Sequence, residues 1–233
     1  MSIDSRTLIL FSSLIWLLAC TTSAQQEVTP PKRADDGPSL AVTMRFIEDK
    51  IEEQGEVLYV LTNSGTPGII TRVFYTITDA SAHPVACTLR TVESIRFDIE
   101  VAEGAAYSEQ GKIVTGDDLH RRQQEIITLS LKDVEKITVE NTEHASNRQF
   151  AEQAHPEITV KITPPVFNLL LSTSKPLFSF HDTFTKGKQP SQVFEHNGKN
   201  DVYIFRDEET ANRVAKAMIH AIELCGGGNK DPF

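Results

Sequence analysis

The feature that most constrains the fold is the last apolar stripe of the chain. Across residues 207–225, Ala211, Val214, Met218, Ala221, Ile222 and Cys225 recur at three- and four-residue intervals, the period of a helix that buries one face. Asp207 can cap the free N–H groups of the first turn, Glu208 and Glu209 set negative charge against the positive end of the helix dipole, and Gly226 supplies a left-handed stop. Asn212, Arg213, Lys216, Ile219, His220 and Glu223 fill much of the remaining surface. The sequence upstream is dominated by short runs of β-branched and aromatic residues. A one-faced helix after many strands predicts an α+β domain, mainly antiparallel, in which the helix covers a sheet.

From residue 39 the elements can be placed in order. Ser39 is an N-cap for a first helix in which Leu40, Met44, Ile47 and Ile51 recur until Gly55, and Arg45, Glu48, Asp49, Glu52 and Glu53 read as its solvated face. A short strand is predicted at 57–62 and about seven main strands follow, at 72–78, 87–97, 125–131, 134–139, 158–162, 166–172 and 201–206. Within 87–97 the apolar positions Cys87 and Leu89 give way to Val92 and then Ile95 and Phe97, a slip of the kind a β-bulge makes. Residues 79–84 read as a turn, 98–124 as a polar excursion, and 141–156 as a polar segment with a short helix near 148–152. Residues 174–200 read as a loop. It carries the one basic-aromatic stretch, and Lys175, Phe178, Phe180, Phe184, Lys186 and Lys188 are its candidate binding residues for a peptide, a lipid headgroup or a glycan. Against that stands a plainer reading, in which the aromatics fold onto the core and the lysines stay in water.

The first 19 residues have one basic residue, Arg6, and an apolar run that is short for a membrane span, which reads as a secretory signal. Leu17, Leu18, Ala19 and Cys20 resemble a lipobox, in which Cys20 is lipidated and becomes the mature N-terminus; Thr22, Ser23 and Ala24 offer an ordinary signal-peptidase site instead. Residues 20–38 are polar and contain proline, too poor in apolar surface to offset the entropy of ordering, and read as a tether. The folded region is then one domain over 39–225, with 226–233 a tail. The expected location is the envelope, periplasmic or on the outer membrane surface, either lipid-anchored or free.

Charge and chemistry narrow the function classes. The net charge of -9, with no basic cluster beyond Arg121 and Arg122, argues against nucleic acid. Apart from Cys20 the chain has Cys87 and Cys225, a disulfide candidate in an exported protein, or else two separately buried thiols. The seven histidines show no ligand spacing, no nucleophile sits in a recognisable turn, and the glycines at 226–228 end a helix rather than open one. No catalytic residue, metal site or cofactor is assigned.

Strand count, antiparallel order and the closing helix together resemble the pleckstrin-homology-like architecture, a bent β-sandwich or partly open barrel of about seven strands capped by a C-terminal helix, here with an extra N-terminal helix. That resemblance implies a groove between the terminal helix and a neighbouring strand where an extended peptide can add. The ending Ala211, Asn212, Arg213, Val214, Ala215, Lys216, Ala217, His220, Ala221, Cys225, Gly226, Gly227, Gly228, Pro232 and Phe233, with 130–134 and 164–167, is similar to a group of uncharacterised bacterial exported proteins. It implies an envelope location and no site residues. The expectation is a non-enzymatic envelope module that binds or scaffolds a protein or peptide, touching the membrane only through its anchor. The alternatives are a small-molecule or lipid carrier using the barrel mouth, and a hydrolase with an unrecognised site.

Overall fold

The computed structural model describes residues 26–27, 37–109, 112–173, 178–186 and 191–227. Cys20, the signal segment, most of the tether, Lys175, Lys188 and residues 228–233 lie outside the described residues. The strands are β1 (Gln26–Glu27), β2 (Val57–Asn63), β3 (Ile69–His83), β4 (Thr88–Val101), β5 (Ser108–Glu109), β6 (Lys112–Ile113), β7 (His120–Ser130), β8 (Lys136–Asn141), β9 (Ile158–Thr163), β10 (Phe167–Ser172), β11 (Phe178–Lys186), β12 (Gln192–Gly198) and β13 (Asn200–Phe205). The helices are α1 (Leu40–Glu52), α2 (Thr142–Glu152) and α3 (Glu208–Leu224). The fold is α+β and mostly antiparallel. Seven strands form one sheet in the order β12-β11-β7-β4-β3-β2-β9, and four form a second in the order β1-β8-β10-β13.

The large sheet has one wet face and one dry one, as an antiparallel sheet covered on one side should. Outward positions pair across strands: the Arg96 guanidinium lies 3.9 Å from the centre of the Phe74 ring, and Arg90 bonds Asp79 at 3.0 Å. The inward row holds Val73, Tyr75 and Ile77 of β3, Leu89, Thr91, Glu93 and Ile95 of β4, and Gln123, Glu125, Ile127 and Leu129 of β7, all buried. The expected slip in 87–97 is not in β4. The register shifts in β3, between Ile77 and Asp79. A bulge there lets β3 run on to His83, where a turn was expected from residue 79, and leaves the core row of β4 unbroken through Thr91 and Glu93.

The small sheet crosses behind this row. β8 follows β7 in the chain but pairs with β10 and β1, and β9 and β10 fall in different sheets, the chain changing sheet across the cis Thr163–Pro164 bond. In β13 the alternate residues Asp201, Tyr203 and Phe205 are at most 1% exposed. Tyr203 lies close enough to Glu93 and Thr91 of β4 to sense both, so this row looks at the large sheet. The opposite face, with Val202 and Ile204, meets α3, which packs on β8, β10 and β13.

α3 is built as its sequence prescribes. Asp207 accepts from Thr210 N at 2.7 Å, Gly226 takes a φ of 75°, Gly226 N donates to Glu223 O and Gly227 N to Ile222 O, a paired C-terminal closure. Gly227 is pressed on the turn after β7, where an added Cβ would come within 2.6 Å of Lys132 O. Cys225, the C-cap, is bonded to Cys87 in the turn between β3 and β4, with Cα atoms 5.9 Å apart. His220, placed by periodicity on the polar side, is buried: its Nε2 lies 2.9 Å from Pro38 O and holds residues 37–38 against the helix.

Beside α3 lies the first helix. α1 packs along α3 and β3. At its end Gln54 receives Arg206 N on Oε1 at 3.1 Å and Arg206 Nε on its carbonyl at 2.6 Å, binding α1 to the residue after β13. The polar excursion is also better packed than a loop. Tyr107 and Val114 close a small satellite core with Ile99.

Candidate functional site

Within residues 174–200, expected to be a loop, Phe178–Lys186 and Gln192–Gly198 instead form the β11–β12 hairpin that continues the large sheet beyond β7. Phe178, Phe180, Phe184 and Lys186 lie on β11 at register positions opposite Leu129, Ile127, Gln123 and Arg121, which is the buried row of β7. Their regular two-residue spacing was the missed signal for a strand. Lys186 has its pKa lowered, first by burial and then by the Arg121 guanidinium, with Asp118 pulling the other way. Of the six candidate residues, Phe178, Phe180, Phe184 and Lys186 are therefore strand positions rather than loop, while Lys175 and Lys188 lie outside the described residues.

What the hairpin creates is an edge. β12 pairs with β11 alone among the described strands, and its successive residues Val193 and Phe194 are 56% and 51% exposed. Successive strand residues point to opposite faces, so both faces of β12 offer apolar surface.

Two other backbone rows of the large sheet receive hydrogen bonds from side chains. On β9, Asn147 of α2 donates Nδ2 to Val160 O at 3.1 Å and takes Val160 N on Oδ1 at 2.9 Å, and Glu143 Oε2 accepts Ile162 N at 3.3 Å. On the extension of β3 past β2, Glu52 Oε1 accepts Ala80 N at 3.1 Å and Glu48 Oε2 accepts Ala82 N at 2.9 Å. The acidic face of α1, read from sequence as solvated, thus serves as a surrogate strand. Sheet edges attract foreign strands unless blunted, and two of these are blunted with backbone-specific hydrogen bonds.

A second concentration of polar groups lies between the sheets. Glu93 and Glu125 are directly opposite in the β4–β7 register, and Gln123 Nε2 donates to Glu125 Oε1. Asp201 approaches from β13. Its Oδ1 accepts Val202 N at 2.8 Å, yet burial outweighs that bond and the nearby Tyr203 phenol and lifts its pKa to about 6. Burial also drives Tyr75 and Tyr203 well above the usual phenol range, reinforced by Glu93 at Tyr75 and by Asp201 and Glu93 at Tyr203; half-buried Tyr59 moves the same way. Tyr75 Oη, Thr91 Oγ1, Asp201 Oδ2 and Tyr203 Oη close no hydrogen bond of standard geometry, although Tyr75 reaches toward Glu93 and Tyr203 toward Asp201 and Thr91. Sequence reading passed over these acids. Their signal was parity, since Glu93 alternates with Leu89 and Ile95, and Glu125 with Ile127 and Leu129, on strands whose same-side neighbours are apolar.

Among the described residues no three His, Cys, Asp or Glu side chains converge as metal ligands, and no described helix is long and apolar enough to cross a membrane. In comparisons with known proteins, no family model, curated protein or solved structure matches the chain.

Proposed function

We propose that the chain is an exported envelope module that binds a protein partner by taking an extended segment of it as an added strand on β12. The observation that carries this reading is the asymmetry of the edges: β9 and the end of β3 are capped by Asn147, Glu143, Glu48 and Glu52, while β12 presents Val193 and Phe194 with no covering element among the described residues. Strand addition draws affinity from main-chain hydrogen bonds and selectivity from side chains on alternating faces, which suits an edge with apolar groups on both.

The disulfide supports export, because such bonds persist in oxidising compartments. A non-enzymatic role is favoured by the burial of Glu93, Glu125 and Asp201, each at most 3% exposed, so that a substrate would have to part the sheets to reach them. The same reading takes the body as pleckstrin-homology-like, supported by a terminal helix that follows the last strand after a short connection and packs on the small sheet.

The test is binding of a displayed library of short peptides to the disulfide-bonded protein. Selected peptides should lose binding to a Val193→Lys/Phe194→Lys variant and keep it for Ile113→Lys, a change at an exposed apolar residue of β6. Equal loss in both variants, or none in either, would remove β12 as the site.

A further inference from the structure

We infer that the strand added on β12 is the β12 of a second copy of this chain, so that two large sheets join edge to edge about a two-fold axis through Phe194. This rests on the reading of β12 as a strand-adding edge and names its occupant.

The backbone groups that β12 offers follow from ladder parity. In an antiparallel ladder hydrogen-bonded pairs alternate with open ones. Leu131 N donates to Cys87 O at 2.9 Å, one step beyond the Thr88–Ser130 pair, so the odd residues of β7 turn their backbone to β4 and the even ones to β11. Carried through the β7–β11 and β11–β12 registers, the alternation bonds Gln192, Phe194 and Gly198 to β11 and points the N–H and C=O groups of Val193, Glu195 and Asn197 away from the sheet. Carried the other way, it turns Ala80 N and Ala82 N outward on β3, where Glu52 and Glu48 accept them.

Two copies of one strand related by a two-fold axis run antiparallel, and only their outward residues can meet in hydrogen-bonded pairs. With the axis at Phe194, Val193 of each copy bonds Glu195 of the other. The two Phe194 residues then form the open pair at the centre, with Cα atoms about 4.5 Å apart and side chains at their closest. The two Val193 side chains lie diagonally across the opposite face. These are the residues that stand 51% and 56% exposed in the single chain. Other axes fit less well: one at Glu195 sets two carboxylates directly opposite, one at Val193 pairs only residues 192–194 of β12, and one at His196 sets Phe194 on Gly198.

The caps elsewhere stop the assembly at two copies. In the large sheet, Asn147 and Glu143 serve β9, and Glu48 and Glu52 serve β3. In the small sheet β8 carries β1, while Val202 N of β13 reaches Asp201 Oδ1 and Arg206 N reaches Gln54 Oε1. A chain with every edge capped stays single, and one with two bare edges extends without limit; one bare edge, used by both partners, closes a pair. Two copies of net charge -9 repel, so this pairing tightens as salt screens them, the reverse of capturing a basic segment.

The experiment is sedimentation equilibrium of the exported chain carrying Cys20→Ser, with the Cys87–Cys225 bond intact, from about 1 μM to about 500 μM, since a short edge makes a small, reversible interface. The mean mass should climb towards twice that of one chain and no further, and at lower concentration in added salt. Val193→Lys/Phe194→Lys should stay single, and Ile113→Lys should follow the wild type. Added to the same chain, Phe194→Cys should cross-link two copies in air, because Cα separations of about 4.4–6.8 Å suit a disulfide, whereas Glu195→Cys lies diagonal to its copy and should not. A single copy at every concentration would overturn the inference: if selected peptides still bind β12 the edge keeps its role with another partner, and if they do not, that role falls too. A dimer that survives Val193→Lys/Phe194→Lys, or cross-linking at Glu195→Cys in place of Phe194→Cys, would overturn it as well.

Discussion

Asn147 holds Val160 by both of its backbone groups, donating to its carbonyl at 3.1 Å and accepting its N–H at 2.9 Å. One amide side chain thus imitates a residue of a neighbouring strand. Asn147→Ala leaves one donor and one acceptor of β9 unserved by protein, and is expected to lower stability by about 1–3 kcal/mol. Denaturant unfolding checks the loss, and amide exchange at Val160 should quicken in the same variant. Unchanged exchange would show that water replaces the side chain without consequence.

Glu48 and Glu52 do the same work on β3, one helical turn apart on α1 and two residues apart on the strand, at Ala82 and Ala80. The match of one turn, about 5.4 Å, to the spacing of alternate strand residues, about 6.6 Å, lets one helix serve both N–H groups. Replacing both acids by Ala should destabilise by about 2–4 kcal/mol, and replacing both by Gln should cost less than half of that, since Gln keeps the acceptor oxygen. Equal losses for Ala and Gln would assign the effect to charge rather than to the hydrogen bonds.

The bond between Cys87 and Cys225 closes a separation of 138 residues. The double change Cys87→Ser/Cys225→Ser should lower stability by about 2–5 kcal/mol, read as a fall in melting temperature that reductant reproduces in the wild type and leaves absent in the variant.

Maturation tests the other end of the chain. Mass spectrometry of the protein from its native host should find a lipid-modified Cys20 at the N-terminus, and Cys20→Ser should release the protein from the membrane fraction. An unmodified N-terminus at Gln25 would assign the signal to ordinary cleavage.

Legibility followed locality. α3 could be read whole, caps included, because Asp207, the apolar stripe and Gly226 all act within a few residues of one another. α1 and strands β2, β9 and β10 were equally readable from alternation and turn residues. Pairing was not: nothing local to β8 says that it joins β10 and β1 rather than β7, because that choice is made by contacts distant in sequence. The hairpin β11–β12 was hidden for a different reason. β12, an edge strand with exposed residues on both faces, has no need of the apolar alternation that marks a half-buried strand, and the alternate phenylalanines of β11 were outweighed by the lysines, prolines and glycines around them. In β4, Val92 is buried, but the row that faces the small sheet runs through its neighbours Thr91 and Glu93. The acid cluster was therefore mistaken for a break in pattern. The role of Glu48 and Glu52 was illegible for a further reason, since exposed and strand-capping acids look alike until the strand beside them is placed.

The cystine also gives the chain a means of reporting its own completion. Cys87 is synthesised early and has no partner among the described residues until Cys225 appears at the end of the last helix. A product that terminates between Cys87 and Cys225 carries Cys87, in the turn before β4, without its cystine partner. Chemistry that traps free thiols could thus separate unfinished copies from finished ones without recognising the fold at all.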